Sequence, residues 1–243
     1  MNRLLESKVA VVTGSSRGLG LAVARALSAD GAKVLVVSRS GAAARKAATG
    51  IEERSGVATF WVGDLTEATA ADSVIAHAVS SFGGVDILVN SAGLFVWKPF
   101  MEFSLEDWRR VLDTNLTAAF LLIRSAARVM IDQGRGGSVV NITSVHGSVG
   151  DPNVVAQCAS KSGLVGLTRA AAEALRPFDI RVNAVSPGSI DPDSADRSGE
   201  SPNARVTQAD IATLVVYLSS DLARSITGSV IEAFGSTRTQ IKI

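Results

Sequence analysis

The stretch 8-KVAVVTGSSRGLG-20 decides how the rest of the chain is read. An apolar run, Val9 to Val12, ends in a turn punctuated by Gly14, Gly18 and Gly20, and the helical pattern 20-GLAVARALSADG-31 follows at once. Apolar residues on both faces of so short a run predict a strand covered on each side by helices. The glycines let the backbone turn sharply and approach a pyrophosphate. The helix that follows offers free N–H groups and the positive end of its dipole to the same phosphates. A glycine pattern alone is weak; its place between a strand and a helix, at the head of an alternating chain, strengthens it.

The alternation continues to the end. Strand-like runs fall at 32–38, 57–63, 85–91, 137–143, 180–186 and 229–234, with longer amphipathic segments between them. Ser104 with Asp107 three residues on predicts a helix N-cap, and Gly31, Gly83 and Gly150 mark element ends or loops. Repeated right-handed βα units give a doubly wound α/β fold, a Rossmann-type parallel sheet of about seven strands with helices on both faces. No linker or repeat divides the chain, so residues 1–243 are expected to form one domain. Within it, 189–207 forms a short polar loop where such a sheet carries its substrate lid, and the next helix is expected at Gln208.

Charge excludes several partner classes. Twenty-four basic against 23 acidic residues give a formal net charge of +1, which offers no electrostatic basis for nucleic acid or an anionic membrane. No apolar run approaches the ~18 residues of a spanning helix. The N-terminus passes straight into the first strand without the apolar stretch of a signal peptide. Cys158 is the only cysteine, so no internal disulfide is possible and a reducing cytoplasm is expected.

The second strand ends in 36-VVSRS-40. An acidic residue here would accept from a ribose 2′-hydroxyl. Ser38 and Arg39 suit a 2′-phosphate instead, and Arg17 in the glycine turn is placed to join them. NADP(H) is therefore the expected cofactor.

With 63-GDL-65, 90-NSAG-93, Asn115, Ser144, 157-QCASK-161 and 187-PG-188, the chain resembles the short-chain dehydrogenase/reductase family from Lys8 to about Gly235. The resemblance implies a Rossmann-type oxidoreductase acting on a small molecule, assembled as a homo- or hetero-oligomer, dimer or tetramer. The helices near 104–132 and 154–176 would form the interface. It places cofactor contacts on Gly14, Ser16, Arg17, Gly18, Leu19 and Gly20, on Ser38 and Arg39, and on Asp64 and Leu65. Further contacts fall on Asn90, Ala92 and Gly93, on Lys161, and on Pro187, Gly188 and Ile190. Asp64 would contact the adenine; it also reads as a helix N-cap before 65-LTEATAADS-73.

The family's site combines a Ser, a Tyr thirteen residues later, a Lys four beyond that, and an Asn. Ser144, Lys161 and Asn115 match, but the tyrosine position holds Gln157. A carboxamide donates a hydrogen bond yet cannot surrender a proton near neutral pH. Tyr217, the only tyrosine, lies in a late helix and reads as packing. His146, two residues past Ser144 at a strand end, is the candidate proton donor; Asp151 is a weaker one, and Cys158 reads as structural. Other departures cluster at the reactive end: Pro192 where the family often has Thr, with Ser189 or the Ile190 N–H as substitutes, and 234-FGS-236 where an acid and two glycines are usual. Three functions remain open at this point. One is an NADP(H)-dependent oxidoreductase of a small carbonyl or alcohol with a non-standard proton donor. The second is a catalytically retired subunit or NADP(H)-binding partner of an active homologue. The third is a non-redox cyclisation, elimination or isomerisation.

Overall fold

In the computed structural model, residues 3–188, 190 and 206–234 are described. The expectations for Ser189, Pro192, most of the 189–207 loop and 235-GS-236 lie outside the described residues. Seven strands, β1 (Val9–Thr13), β2 (Lys33–Ser38), β3 (Val57–Val62), β4 (Ile87–Asn90), β5 (Gly137–Ile142), β6 (Ile180–Pro187) and β7 (Val230–Ala233), form one sheet in the order β3-β2-β1-β4-β5-β6-β7. Every pairing is parallel. Six strands lie within the runs read from sequence and β6 ends one residue past its own; several of these runs are apolar on both faces. All five side chains of β1 are buried.

Alternation sends successive side chains to opposite layers. Ala10, Val12, Val34, Val36 and Val140 pack under α1 (Gly18–Ala29), α2 (Gly41–Glu52) and α7 (Gln208–Ser219). Val11, Leu35, Val37, Leu88 and Val139 pack under α3 (Ala70–Phe82) and α5 (Ala118–Gln133), and α6 (Val155–Leu175) covers Ile180 and Val182 in the same layer.

The helix ends follow their local chemistry. Ser104 caps α4 (Leu105–Leu112) by accepting from Asp107 N. Gly83 closes α3 in the left-handed region. Thr207 and Asp210 form a reciprocal capping box that starts α7 at Gln208, as expected. α4 and α5 join through a widened turn, Asp113–Thr117, of π geometry. The resulting run Leu105–Gln133 contains an 18-residue window of mean hydropathy 1.2, long and apolar enough by composition to cross a membrane. Half of its apolar window is buried within the fold, which is the pattern of a core helix.

Candidate active site

β2 and β4 flank β1, and the chain leaves β1 in opposite directions across the sheet. Such a reversal opens a crevice at the carboxyl ends of the strands. A cavity of about 650 Å³ lies there. Its wall brings together Gly14, Ser16, Arg17, Gly18, Leu19 and Gly20, then Ser38 and Arg39, Asp64 and Leu65, and Ala92 and Gly93, with Thr114 and Ile142 among the other residues that line it.

The glycine turn is built for close approach. Gly14 has a φ of +64°, and a Cβ there would stand 2.8 Å from Ala92 Cα. At Gly20 it would stand 2.3 Å from the Gly14 carbonyl oxygen. Helix α1 begins on the cavity wall with no acidic residue in its first turn, so its positive end is left for an anion. Two hydroxyls that the sequence reading passed over hold this turn. Thr13 Oγ1 accepts from Ser91 N and Ala92 N, each at 3.0 Å, and so locks the turn after β4 to β1. Ser15 Oγ donates to Val12 O at 2.6 Å and accepts from Val37 N at 3.1 Å. The available signal was a hydroxyl on each side of Gly14, breaking an apolar strand end.

At the lip, Ser38 Oγ donates to Ser16 Oγ at 2.9 Å and accepts from Ser40 N at 3.2 Å. Arg17 and Arg39 are exposed beside them. Asp64 Oδ1 accepts from Thr66 N and Thr66 Oγ1. These bonds, with a smaller pull from Arg39, hold its carboxyl below the ordinary range. Asp64 is not a helix cap: α3 starts only at Ala70, after Thr69. The bonds to Thr66 close a local turn instead. The donor set, the uncapped helix end and the side-chain-free glycines together fit a dinucleotide phosphate.

Five expected contacts stand off this wall, and one of them, Lys161, lies beyond Gly93 with the reactive residues. Asn90 is buried within β4, where its Nδ2 donates to Asn141 Oδ1 at 2.9 Å across the β4–β5 register. It clamps strands beneath the cavity. Pro187 ends β6, Gly188 N donates to Ala233 O at 3.0 Å, and Ile190 bridges to Val206.

The reactive residues gather beyond Gly93. A Cβ on Gly93 would lie 3.6 Å from Asn115 Oδ1 and 3.9 Å from Lys161 Nζ. Asn115 is buried in the widened turn between α4 and α5, a distortion that recurs at functional positions. Lys161 is buried and donates to Ile142 O at 2.7 Å. Burial lowers its ammonium from 10.5 to about 8.

The hydrogen bonds of Asn115 fix the role of Gln157. Leu94 N can only donate, so Asn115 Oδ1 must be the atom that accepts from it, at 2.7 Å. Asn115 Nδ2 is therefore a donor, its two protons shared among Leu94 O (3.1 Å), Gln157 Oε1 (2.9 Å) and Ser160 Oγ (3.1 Å). Gln157 consequently turns its oxygen inward and keeps Nε2 as a donor. One backbone N–H thus sets the polarity of the residue that replaces the expected tyrosine.

Ser144 and His146 sit on the short turn after β5. Ser144 Oγ lies 3.3 Å from His146 Nδ1 and accepts from His146 N at 3.3 Å. This turn lies against α6, where Ser162 Oγ donates to Gly147 O at 3.0 Å. Cys158 Sγ donates to Val149 O at 3.5 Å, a structural contact. Tyr217 is on α7, the helix whose last carbonyls receive Arg181 and Ser138 at the amino end of β5 and β6. It is at the wrong end of the sheet to serve this site.

Comparison with known proteins agrees with this geometry. The family model for short chain dehydrogenases matches residues 8–203. A 3-oxoacyl-[acyl-carrier-protein] reductase of Aquifex aeolicus is 36% identical over 242 residues, covering 95% of this chain and 97% of that one. A 3beta-hydroxysteroid dehydrogenase of Eggerthella lenta is 36% identical, covering 93% and 92%. The crystal structure of a short-chain type dehydrogenase/reductase from Mycobacterium marinum superposes with a TM-score of 0.90 at 34% identity, covering 98% of each chain. Sheet order, glycine turn and reactive residues converge with these likenesses: the chain belongs to the short-chain dehydrogenase family, oxidoreductases that use a nicotinamide nucleotide.

Proposed function

We propose that the protein is an NADP(H)-dependent oxidoreductase of a small carbonyl or alcohol that works without a tyrosine and draws its proton from His146. The observation that carries this reading is the locked polarity of Gln157. Its Oε1 is tied to Asn115, which leaves Nε2 to join Ser144 in holding a carbonyl oxygen. The printed activities of two relatives, a 3-oxoacyl reductase and a 3beta-hydroxysteroid dehydrogenase, support a ketone–alcohol pair as the substrate class.

The nucleotide supplies or accepts a hydride when bound. Arg39, Arg17, Ser38 and Ser16 would hold its 2′-phosphate, the start of α1 its pyrophosphate, and Lys161 its nicotinamide ribose. Ser144 and Gln157 would orient the carbonyl and draw charge onto its oxygen as the hydride arrives. Neither amide proton of Gln157 can be given up, so the proton must come through Ser144 from His146, at 3.3 Å.

Leu105, Trp108 and Phe120 stand exposed on α4 and α5, which supports assembly with a second copy or a homologue through this side. A single free cysteine, Cys158, suits a reducing cytoplasm.

Titrating the protein with NADPH and NADH, followed by cofactor fluorescence, tests the nucleotide half. NADPH should bind more tightly. Arg39→Ala should weaken NADPH about 10–100-fold, the worth of a charge-assisted hydrogen bond, and leave NADH unchanged. Equal affinity for both nucleotides would remove the phosphate preference. Binding of neither would end the redox reading in favour of a retired subunit.

A further inference from the structure

We propose that Asp151 is a positioning residue that sets the tautomer of His146, so that protons reach the substrate oxygen along the line Asp151–His146–Ser144. The proposal rests on the carbonyl-reductase reading above for its function, and on geometry alone for the pairing.

The three residues fall within one stretch, 144-SVHGSVGD-151, directly after β5. Ser144 Oγ is 3.3 Å from His146 Nδ1, and His146 Nε2 is 3.8 Å from Asp151 Oδ2. Each ring nitrogen therefore faces a different partner. The two carboxylate oxygens of Asp151 are likewise divided. Oδ1 accepts from Asn153 N at 2.8 Å, which fixes the side chain to its own loop and turns Oδ2 toward the imidazole. That loop is held in turn: Val154 N donates to Asp151 O at 3.3 Å, and Lys98 N donates to Asn153 O at 2.8 Å. On the other side, Gly147 N donates to Ser144 O at 2.8 Å and Val149 N to Val145 O at 3.1 Å, which keep the histidine turn closed.

At 3.8 Å the carboxylate acts on the ring by charge rather than by a direct hydrogen bond, and its charge favours one tautomer. A carboxylate can only accept, so it keeps a proton on Nε2. Nδ1 is then the atom that gains and loses the second proton, and it faces Ser144. Reduction balances as follows. After hydride addition the alkoxide oxygen takes the Ser144 hydroxyl proton, and Ser144 Oγ takes the proton on His146 Nδ1. The imidazolium becomes neutral imidazole with Nε2–H still facing Asp151. Solvent restores the lost proton, since the His146 and Asp151 side chains are 26% and 38% exposed. Other titratable groups turn away. On α6, Cys158 Sγ points to Val149 O and Lys161 Nζ to Ile142 O. On β6 the only titratable side chain, Arg181, lies at the opposite end, bonded to Leu218 O and Ser220 O.

The test has two arms, run on the full chain. In the nucleotide-free protein, ¹⁵N-detected imidazole spectra should show His146 as the Nε2–H tautomer. In Asp151→Asn, Oδ1 can still accept from Asn153 N while an NH₂ faces Nε2, so the tautomer should flip to Nδ1–H; Asp151→Glu should restore Nε2–H. An unchanged tautomer in folded Asp151→Asn overturns the proposal, whatever the activity. In steady-state reduction with NADPH, Asp151→Asn should lower kcat about 10–100-fold with little change in KM, and Asp151→Glu should recover most of it. His146→Ala should lower kcat at least as far as Asp151→Asn does; undiminished turnover in that variant also overturns the proposal. If the wild type reduces no carbonyl while the tautomer still follows Asp151, the reductase reading fails and the pairing stands.

Discussion

Replacing Gln157 by tyrosine is expected to raise NADPH-dependent carbonyl reduction about 10²–10⁴-fold, the usual worth of a positioned general acid. The surroundings for that phenol are in place. Position 157 lies on α6 four residues before Lys161, hence on the same helix face. Lys161 is buried and carries a cation that would lower the phenol's pKa. Asn115 already presents Nδ2 to the side chain at this position, at 2.9 Å from the present oxygen. A phenol oxygen accepts from the same donor and keeps its proton for the substrate. The gain should persist in a Gln157→Tyr/His146→Ala double variant, because the tyrosine makes the histidine route unnecessary. A folded Gln157→Tyr that binds NADPH and shows no gain across a panel of ketones would contradict the view that the site lacks only an acid placed directly on the substrate oxygen.

The second large effect is on stability. Burial lowers Lys161 from 10.5 to about 8. Below about pH 8 the lysine is charged in both folded and unfolded chains, and the folded state bears the full cost of burying it. Between pH 8 and 10.5 the unfolded chain still holds a proton that the folded chain has released, so folding becomes more favourable as pH rises. At about 1.4 kcal/mol per pH unit, the gain between pH 7 and pH 10 is about 2–3 kcal/mol. The wild type should therefore gain that much relative to Lys161→Met over the same range. Urea unfolding of both nucleotide-free proteins at the two pH values measures it; a constant difference would mean that Lys161 is hydrated in solution.

Several of these features were legible before any coordinates. The seven strands stood out as short apolar runs, several of them apolar on both faces, and the start of α4 because Ser104 and Asp107 read as its cap; α7 was expected at Gln208, but its Thr207–Asp210 box emerged only in the structure. The widened turn Asp113–Thr117 was not legible, since the apolar pattern runs through it without a break. Nor was the position of Asn90: only the strand register sets it opposite Asn141, under the cavity floor. The sequence marked Gln157 as anomalous but could not orient its amide. That orientation depends on Leu94 N, sixty-three residues away along the chain, acting through Asn115. Asp151 read as the weaker proton-donor candidate, because Asp before Pro commonly marks a turn. Its second oxygen acquires a partner only when the loop folds back on His146.

The central claim is that hydride chemistry survives the loss of the tyrosine. The most direct measurement follows deuterium from C4-deuterated NADPH into a panel of ketones and aldehydes with the wild-type protein, read by mass spectrometry of the alcohols. The account predicts slow turnover with the label on the former carbonyl carbon. Tight NADPH binding with no label transferred to any carbonyl would contradict it, and would leave a nucleotide-binding chain whose redox step has been lost.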